Sequence, residues 1–190
     1  MSTKNKVENV QPLRTTYEIE QMREALGQTN QASRNLLLFN FGINTGLRIS
    51  DIISLRVEDV KGKTSFIIKE GKTQKPRKIY LNSLLAQLTD YINDDLNGAD
   101  TGYLFPSRKG DSHISRVQAY RIVANSGKAC GYDYVGTHTM RKTFGYFFYK
   151  QTKDIAMLMD IFNHSSQDVT RRYIGITEEE KENALQSFAL

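Results

Sequence analysis

Only one stretch of this 190-residue chain reads as β structure, and helical periodicity brackets it on both sides. Residues 64–69 (TSFIIK) and 77–81 (RKIYL) are short runs rich in β-branched and aromatic residues, and the Gly- and Lys-containing stretch 70–76 separates them. They predict a small hairpin whose connecting turn carries Lys72 and Lys75. Upstream, Ile19, Met22 and Leu26 stand three and four apart, the spacing of a short amphipathic helix beginning at Thr16. A second helix, rich in Leu and Phe, is expected over 31–44 and ends at Gly46 in the manner of a C′ glycine. Ser50 is a good N-cap for a short segment 51–55. Downstream, helical spacing returns over 82–96, and a loop with Asp100, Gly102, Pro106 and Gly110 follows. Helices are then expected at 115–131, 137–151, 153–162, 167–173 and 177–188, the last opening on a capping box of Thr177 and Glu180. The fold class is mainly α with a small antiparallel β-hairpin or sheet (α+β). Residues 1–15 are polar, aperiodic and carry Pro12; they read as an N-terminal arm or linker, with 16–190 forming one domain.

The formal charge of +5 conceals an uneven distribution. Residues 61–80 hold seven basic groups and one acidic, and 108–172 hold eleven basic and five acidic, so each block is net +6. Residues 81–107 and 173–190 compensate with net charges of −4 and −3. Two strongly basic blocks suit a polyanion bound on one face, because phosphate neutralisation with counterion release drives nucleic-acid affinity. The lone Cys130 cannot form an internal disulfide and no Cys/His cluster has zinc-finger spacing, which excludes a disulfide scaffold and a structural zinc site. The most apolar run, 36–43, is broken by Asn40 and is far shorter than the ~20 residues of a membrane span. The expected setting is reducing, soluble and cytoplasmic.

Four short stretches could carry chemistry. Arg48, in TGLRISD, sits just past a helix-ending glycine, where a side chain projects from a turn. Lys72 occupies the hairpin tip. His138 and Arg141, in THTMRK, stand at i and i+3 at a helix N-terminus, where backbone N–H groups also favour an anion; they form a phosphate cradle, or else Thr137 caps and His138 merely covers the first turn. In NHSSQDVTRRY, Tyr173 follows His164 by nine residues near the end of a basic helix.

The ordered set Arg48, Lys72, His138-x-x-Arg141, His164, Tyr173 resembles the catalytic domain of tyrosine recombinases, the phage integrase family. The local wording is similar too: TGLRISD, EGKTQKPRKIYL, HTMRKTF and NHSSQDVTRRY each resemble a family motif. The likeness spans residues 16–190. It implies that Tyr173 attacks a scissile phosphate in double-stranded DNA, giving a 3′-phosphotyrosyl intermediate and a free 5′-hydroxyl. Arg48 and Arg141 would clamp the non-bridging oxygens, Lys72 would protonate the departing 5′-oxygen, His138 would help remove the phenolic proton, and His164 would donate a hydrogen bond to the phosphate. The phosphodiester energy stays in the protein link, so no cofactor and no metal is implied. A tyrosine with an ordinary pKa near 10 needs such cationic surroundings to act at neutral pH.

The resemblance also implies partners: a protomer assembly, a tetramer on two duplexes, accessory DNA-bending proteins, and a bacterial or phage-derived mobile element. With about fifteen residues ahead of the catalytic domain, the family's N-terminal core-binding domain is not expected in this sequence, as in a naturally short recombinase or a fragment of a longer one. Ala184, Leu185 and Phe188 offer an apolar stripe for a neighbouring protomer, or for packing on their own domain. Asp51 stands where the family usually has Glu, Asn163 where it has Gly, and Lys142 where it often has His; none of these removes a catalytic group. Two rival readings are a type IB topoisomerase-like enzyme and a non-catalytic helix-turn-helix DNA-binding protein built on 153–174. The latter leaves Arg48, Lys72 and His138 without a role.

Overall fold

A computed structural model describes residues 10–72, 74–176 and 185–188. The chain opens with helices Thr16–Gly27 (α1) and Ala32–Thr45 (α2), then two short helices, Ile49–Ile53 (α3) and Val57–Val60 (α4). Strands Ser65–Lys69 (β1) and Pro76–Tyr80 (β2) form an antiparallel pair in which Phe66 faces Ile79 and Ile67 faces Lys78. A 3₁₀ turn, Asn82–Leu84, leads into Leu85–Asp94 (α5), and Arg116–Ala129 (α6), Thr137–Thr152 (α7), Ile155–Phe162 (α8) and Gln167–Ile174 (α9) follow.

A lone two-stranded hairpin is at best marginal in water, so it must lean on helices. Here Phe66 and Ile79 do so, joining a core with Leu37, Leu38 and Phe41 of α2, Ile52 and Ile53 of α3, and Leu88, Tyr91 and Ile92 of α5. A second core gathers α1, α2, α6 and α7 around Met22, Leu26, Phe39, Val123 and Met140. A third lies under the C-terminal helices, where Ile155, Leu158 and Phe162 of α8 and Ile174 of α9 pack on Phe144 and Phe148 of α7. Helices α8 and α9 are therefore closed onto α7 rather than standing apart as a reading head.

The elements match the sequence expectations closely, with three differences. Ser50 makes no capping bond: α3 starts two residues earlier, with Arg48 at its N-cap and the Arg48 carbonyl accepting from the Asp51 and Ile52 amides. Helix α4 has only four residues, too few to show a period. The helix expected from residue 82 begins as a 3₁₀ turn. Residues 10–15, expected as arm or linker, lie against the helical body, and Leu13 is fully buried. The capping box at Thr177 and Glu180 falls outside the described residues; Leu185 and Phe188 are exposed. Among the described residues no helix is long and apolar enough to cross a membrane.

Candidate active site

The site is built around the turn that ends α2. Gly46 adopts φ +62°, and Phe144 packs on it so tightly that a Cβ there would lie 2.4 Å from the Phe144 ring. Only glycine satisfies both demands. The turn returns the chain to an extended conformation at Arg48, whose side chain projects beside the hairpin. There its Nη1 donates to Glu70 Oε2, while the other oxygen of Glu70 accepts from Arg77 Nη1 at 3.4 Å. Arg77 also donates to the Thr45 carbonyl at 2.6 Å, so hairpin and turn are joined at two points. A third point is Asp51, whose Oδ1 accepts the Gly71 N–H at 3.1 Å. Its Oδ2 is buried with no hydrogen-bond partner, and burial pushes this carboxyl above the usual aspartate range.

Helix α7 supplies the next two groups. Arg141 is 3% exposed; it donates to the Gly46 carbonyl and, at 3.2 Å, to the Phe162 carbonyl, with its guanidinium 4.3 Å from the centre of the Phe162 ring. Burial pulls its pKa down to about 10, which leaves it charged at neutral pH. One turn earlier His138 points Nδ1 at the Tyr173 hydroxyl, 3.4 Å away. Partial desolvation by its neighbours, reinforced by the charges of Lys142, Arg141, Arg48 and Lys72, lowers the His138 pKa and favours the neutral imidazole, although the residue keeps an exposed side.

The turn between α8 and α9 supplies the rest. Asn163 takes the left-handed conformation (φ 51°), which asparagine tolerates, and His164 follows. His164 Nδ1 lies 3.1 Å from Thr170 Oγ1, which fixes the ring plane, and the ring meets Tyr173 edge to face at 5.0 Å between centres. Burial and the charges of Arg141, Arg48 and Lys72 lower the His164 pKa. Tyr173 is packed between His164, Phe162 and the Lys142 ammonium, the last 5.3 Å from its ring centre. Its pKa is raised: burial outweighs the opposing pull of Arg141 and Arg48. Arg141 and Arg48 thus lie close enough to act on the tyrosine, yet they do not bring its pKa below the ordinary value.

Arg48, His138, Arg141, His164 and Tyr173 converge. Lys72, exposed at the hairpin tip, lines an open cleft of about 820 Å³ with Arg48, Asp51, Arg116 and His138. Glu70 and Arg77 join Arg48 without having stood out in the sequence. Lys75 Nζ reaches from the hairpin turn to Asn163 Oδ1 at 2.6 Å, tying the Lys72 side of the cleft to the His164 side.

A helical body with one hairpin, and a tyrosine facing two histidines and two arginines from separate turns, has the architecture of tyrosine recombinase catalytic domains. The solved structure of the XerH site-specific recombinase bound to palindromic difH substrate, a post-cleavage complex, superposes with a TM-score of 0.72 at 22% identity, covering 94% of this chain and 53% of that one; the likeness is one of fold. The chain belongs to the phage integrase family, whose model matches residues 14–180. It is 47% identical over 180 residues to the probable integrase/recombinase YoeC of Bacillus subtilis, covering 94% of this chain and 97% of YoeC. It is 26% identical over 176 residues to the tyrosine recombinase XerA of Pyrococcus furiosus, covering 90% of this chain and 60% of XerA. The chain therefore spans nearly the whole of one relative and little more than half of longer ones.

Proposed function

We propose that this chain cuts and rejoins double-stranded DNA at specific sites by two transesterifications. The Tyr173 oxygen attacks phosphorus and passes its proton to His138; the 5′-oxygen leaves with a proton from Lys72; the strand is held as a 3′-phosphotyrosyl ester until a 5′-hydroxyl reverses the step. Arg48 and Arg141 hold the non-bridging oxygens and balance the charge that grows on them, and His164 adds a hydrogen bond. The contact of His138 Nδ1 with the Tyr173 hydroxyl carries this reading, because it joins an imidazole whose neutral form is favoured to a phenol close to the buried Arg141. At 3.4 Å it is long for a hydrogen bond, as is common before substrate tightens a site. Family membership and the resemblance of the six motif positions support the same assignment. Exchange between two duplexes further requires protomers to assemble on DNA, a tetramer in the full reaction, with accessory DNA-bending proteins where the sites demand them.

The experiment is incubation with a pool of nicked duplexes carrying a randomised core, followed by denaturing recovery of protein-linked DNA. A covalent adduct that Tyr173→Phe abolishes is the expected result. Absence of any adduct, or its persistence in Tyr173→Phe, overturns the proposal.

A further inference from the structure

The segment ahead of α1 is seated on the helices that carry the site. Leu13 is fully buried, and its N–H donates to Thr143 Oγ1 of α7 at 2.9 Å. Arg14 reaches across to the end of α9: its Nη2 donates to the Gly175 carbonyl at 2.8 Å, and its guanidinium stands 5.2 Å from the centre of the Tyr146 ring. Gly175 is the left-handed residue that ends α9, two positions after Tyr173. On the other side, the Val10 carbonyl accepts from Lys142 Nζ at 2.6 Å, and this same ammonium lies over the Tyr173 ring. Residues 10–14 therefore touch the surroundings of Tyr173 at two places: above its ring through Lys142, and at the end of its helix through Arg14.

Helix α9 has eight residues, too few to hold a helical position unaided. Thr170 and Ile174 anchor its inner face, and Gly145 of α7 is the seat for Ile174: a Cβ at Gly145 would lie 2.6 Å from Ile174 Cγ2. Those contacts fix how closely α9 approaches α7. They resist sliding along the helix axis less well, and a donor bonded to the last carbonyls of α9 opposes such sliding directly.

We propose that Arg14 is a positioning residue for Tyr173, and that residues 10–14 act as a strap coupling the upstream chain to the nucleophile. This rests on Tyr173 being the nucleophile. Displacing a reacting group by a fraction of an ångström reduces a rate without weakening binding, so the effect belongs in the chemical step.

The test uses the full chain and the duplex recovered from the randomised pool. Arg14→Ala is expected to slow single-turnover adduct formation at saturating DNA about tenfold, the scale of a small misplacement, with DNA affinity within about twofold of wild type. Arg14→Lys, which keeps one donor for the Gly175 carbonyl, is expected to recover most of the rate. Hydrogen exchange of the α9 amides is expected to accelerate in Arg14→Ala and not in Lys128→Ala. A wild-type rate and wild-type α9 exchange in Arg14→Ala overturn the proposal, as does a rate loss matched by an equal loss of DNA affinity. If Arg14→Ala does not fold, Arg14→Met, which keeps the side chain's length and removes its donors to the Gly175 carbonyl, is scored by the same criteria. If wild-type protein forms no adduct, the recombination reading fails, and α9 exchange alone decides the strap.

Discussion

Glu70 sets its carboxylate against the Arg48 guanidinium, and only 6% of the Glu70 side chain is exposed to solvent. With Arg77 on its other oxygen, this one acid is shared by two like charges drawn from separate parts of the chain.

Removing the acid from such a buried arrangement leaves both arginines uncompensated. Glu70→Ala is expected to destabilise the protein by about 3 kcal/mol, the low end for breaking a buried pair from one side, and urea denaturation measures it. Glu70→Gln, which keeps the shape and one acceptor oxygen, should cost less. Equal costs would mean that size rather than charge matters at this position.

The turn before Arg48 gives a second expectation. Gly46→Ala meets both a left-handed backbone, worth about 1–2 kcal/mol for an L-residue, and the Phe144 ring. Gly62→Ala has a comparable φ of +68° but nothing within 4 Å, so it pays for the backbone alone. Thermal denaturation of the two variants should place Gly46→Ala well below Gly62→Ala, and Gly46→Ala should also lose adduct formation through displacement of Arg48.

The pH dependence follows from the histidines. Partial desolvation and the neighbouring cations lower the pKa of His138, so the neutral base should persist as pH falls through the ordinary histidine value near 6.5, and single-turnover cleavage should fall only below it. His138→Gln is expected to remove that acid limb. Stability shifts in the same direction: a histidine harder to protonate when folded than when unfolded weakens the fold as pH drops below about 6.5, and His164 adds to the effect. A fold that gained stability between pH 6.5 and 5 through these two residues would contradict the assignment.

Lys72 is open to a chemical test. If it protonates the leaving 5′-oxygen, Lys72→Ala should lower cleavage by roughly 10²–10⁴-fold, the usual contribution of a general acid. A substrate with sulfur at that bridging position releases a thiolate that needs no proton, and should restore the variant to near wild-type rate. Failure of sulfur to rescue would move Lys72 from proton donor to simple phosphate contact.

Much of this architecture was legible because the longer helices each carry their own period, and because the hairpin interrupts that period once. The strands fall within one residue of the expected bounds at each end. The start of α3 was misplaced because Ser50 looks like a cap, while the turn at Gly46 returns the backbone to extended conformation two residues sooner. The polar positions Arg48, His138, Arg141, His164 and Tyr173 could be read from their order. Glu70 and Arg77 could not, since their importance lies in pairing across 22 and 32 residues with Arg48 and Thr45, and no local pattern reports that. Leu13 was missed for another reason: it sits beside Pro12 in a mostly polar stretch that sustains no helical or strand pattern, although it is fully buried.

Arg141 holds the Gly46 carbonyl with one arm and the Phe162 carbonyl with the other, sewing the end of α2 to the end of α8. The side chain proposed to grip phosphate is therefore also a structural stitch, and its loss would strand two backbone oxygens in the interior. Selection on folding alone would preserve this arginine even in a lineage that had stopped recombining DNA. Its presence in a sequence is accordingly weaker testimony to activity than Lys72, which lies exposed at the hairpin tip and which the fold could lose at little cost.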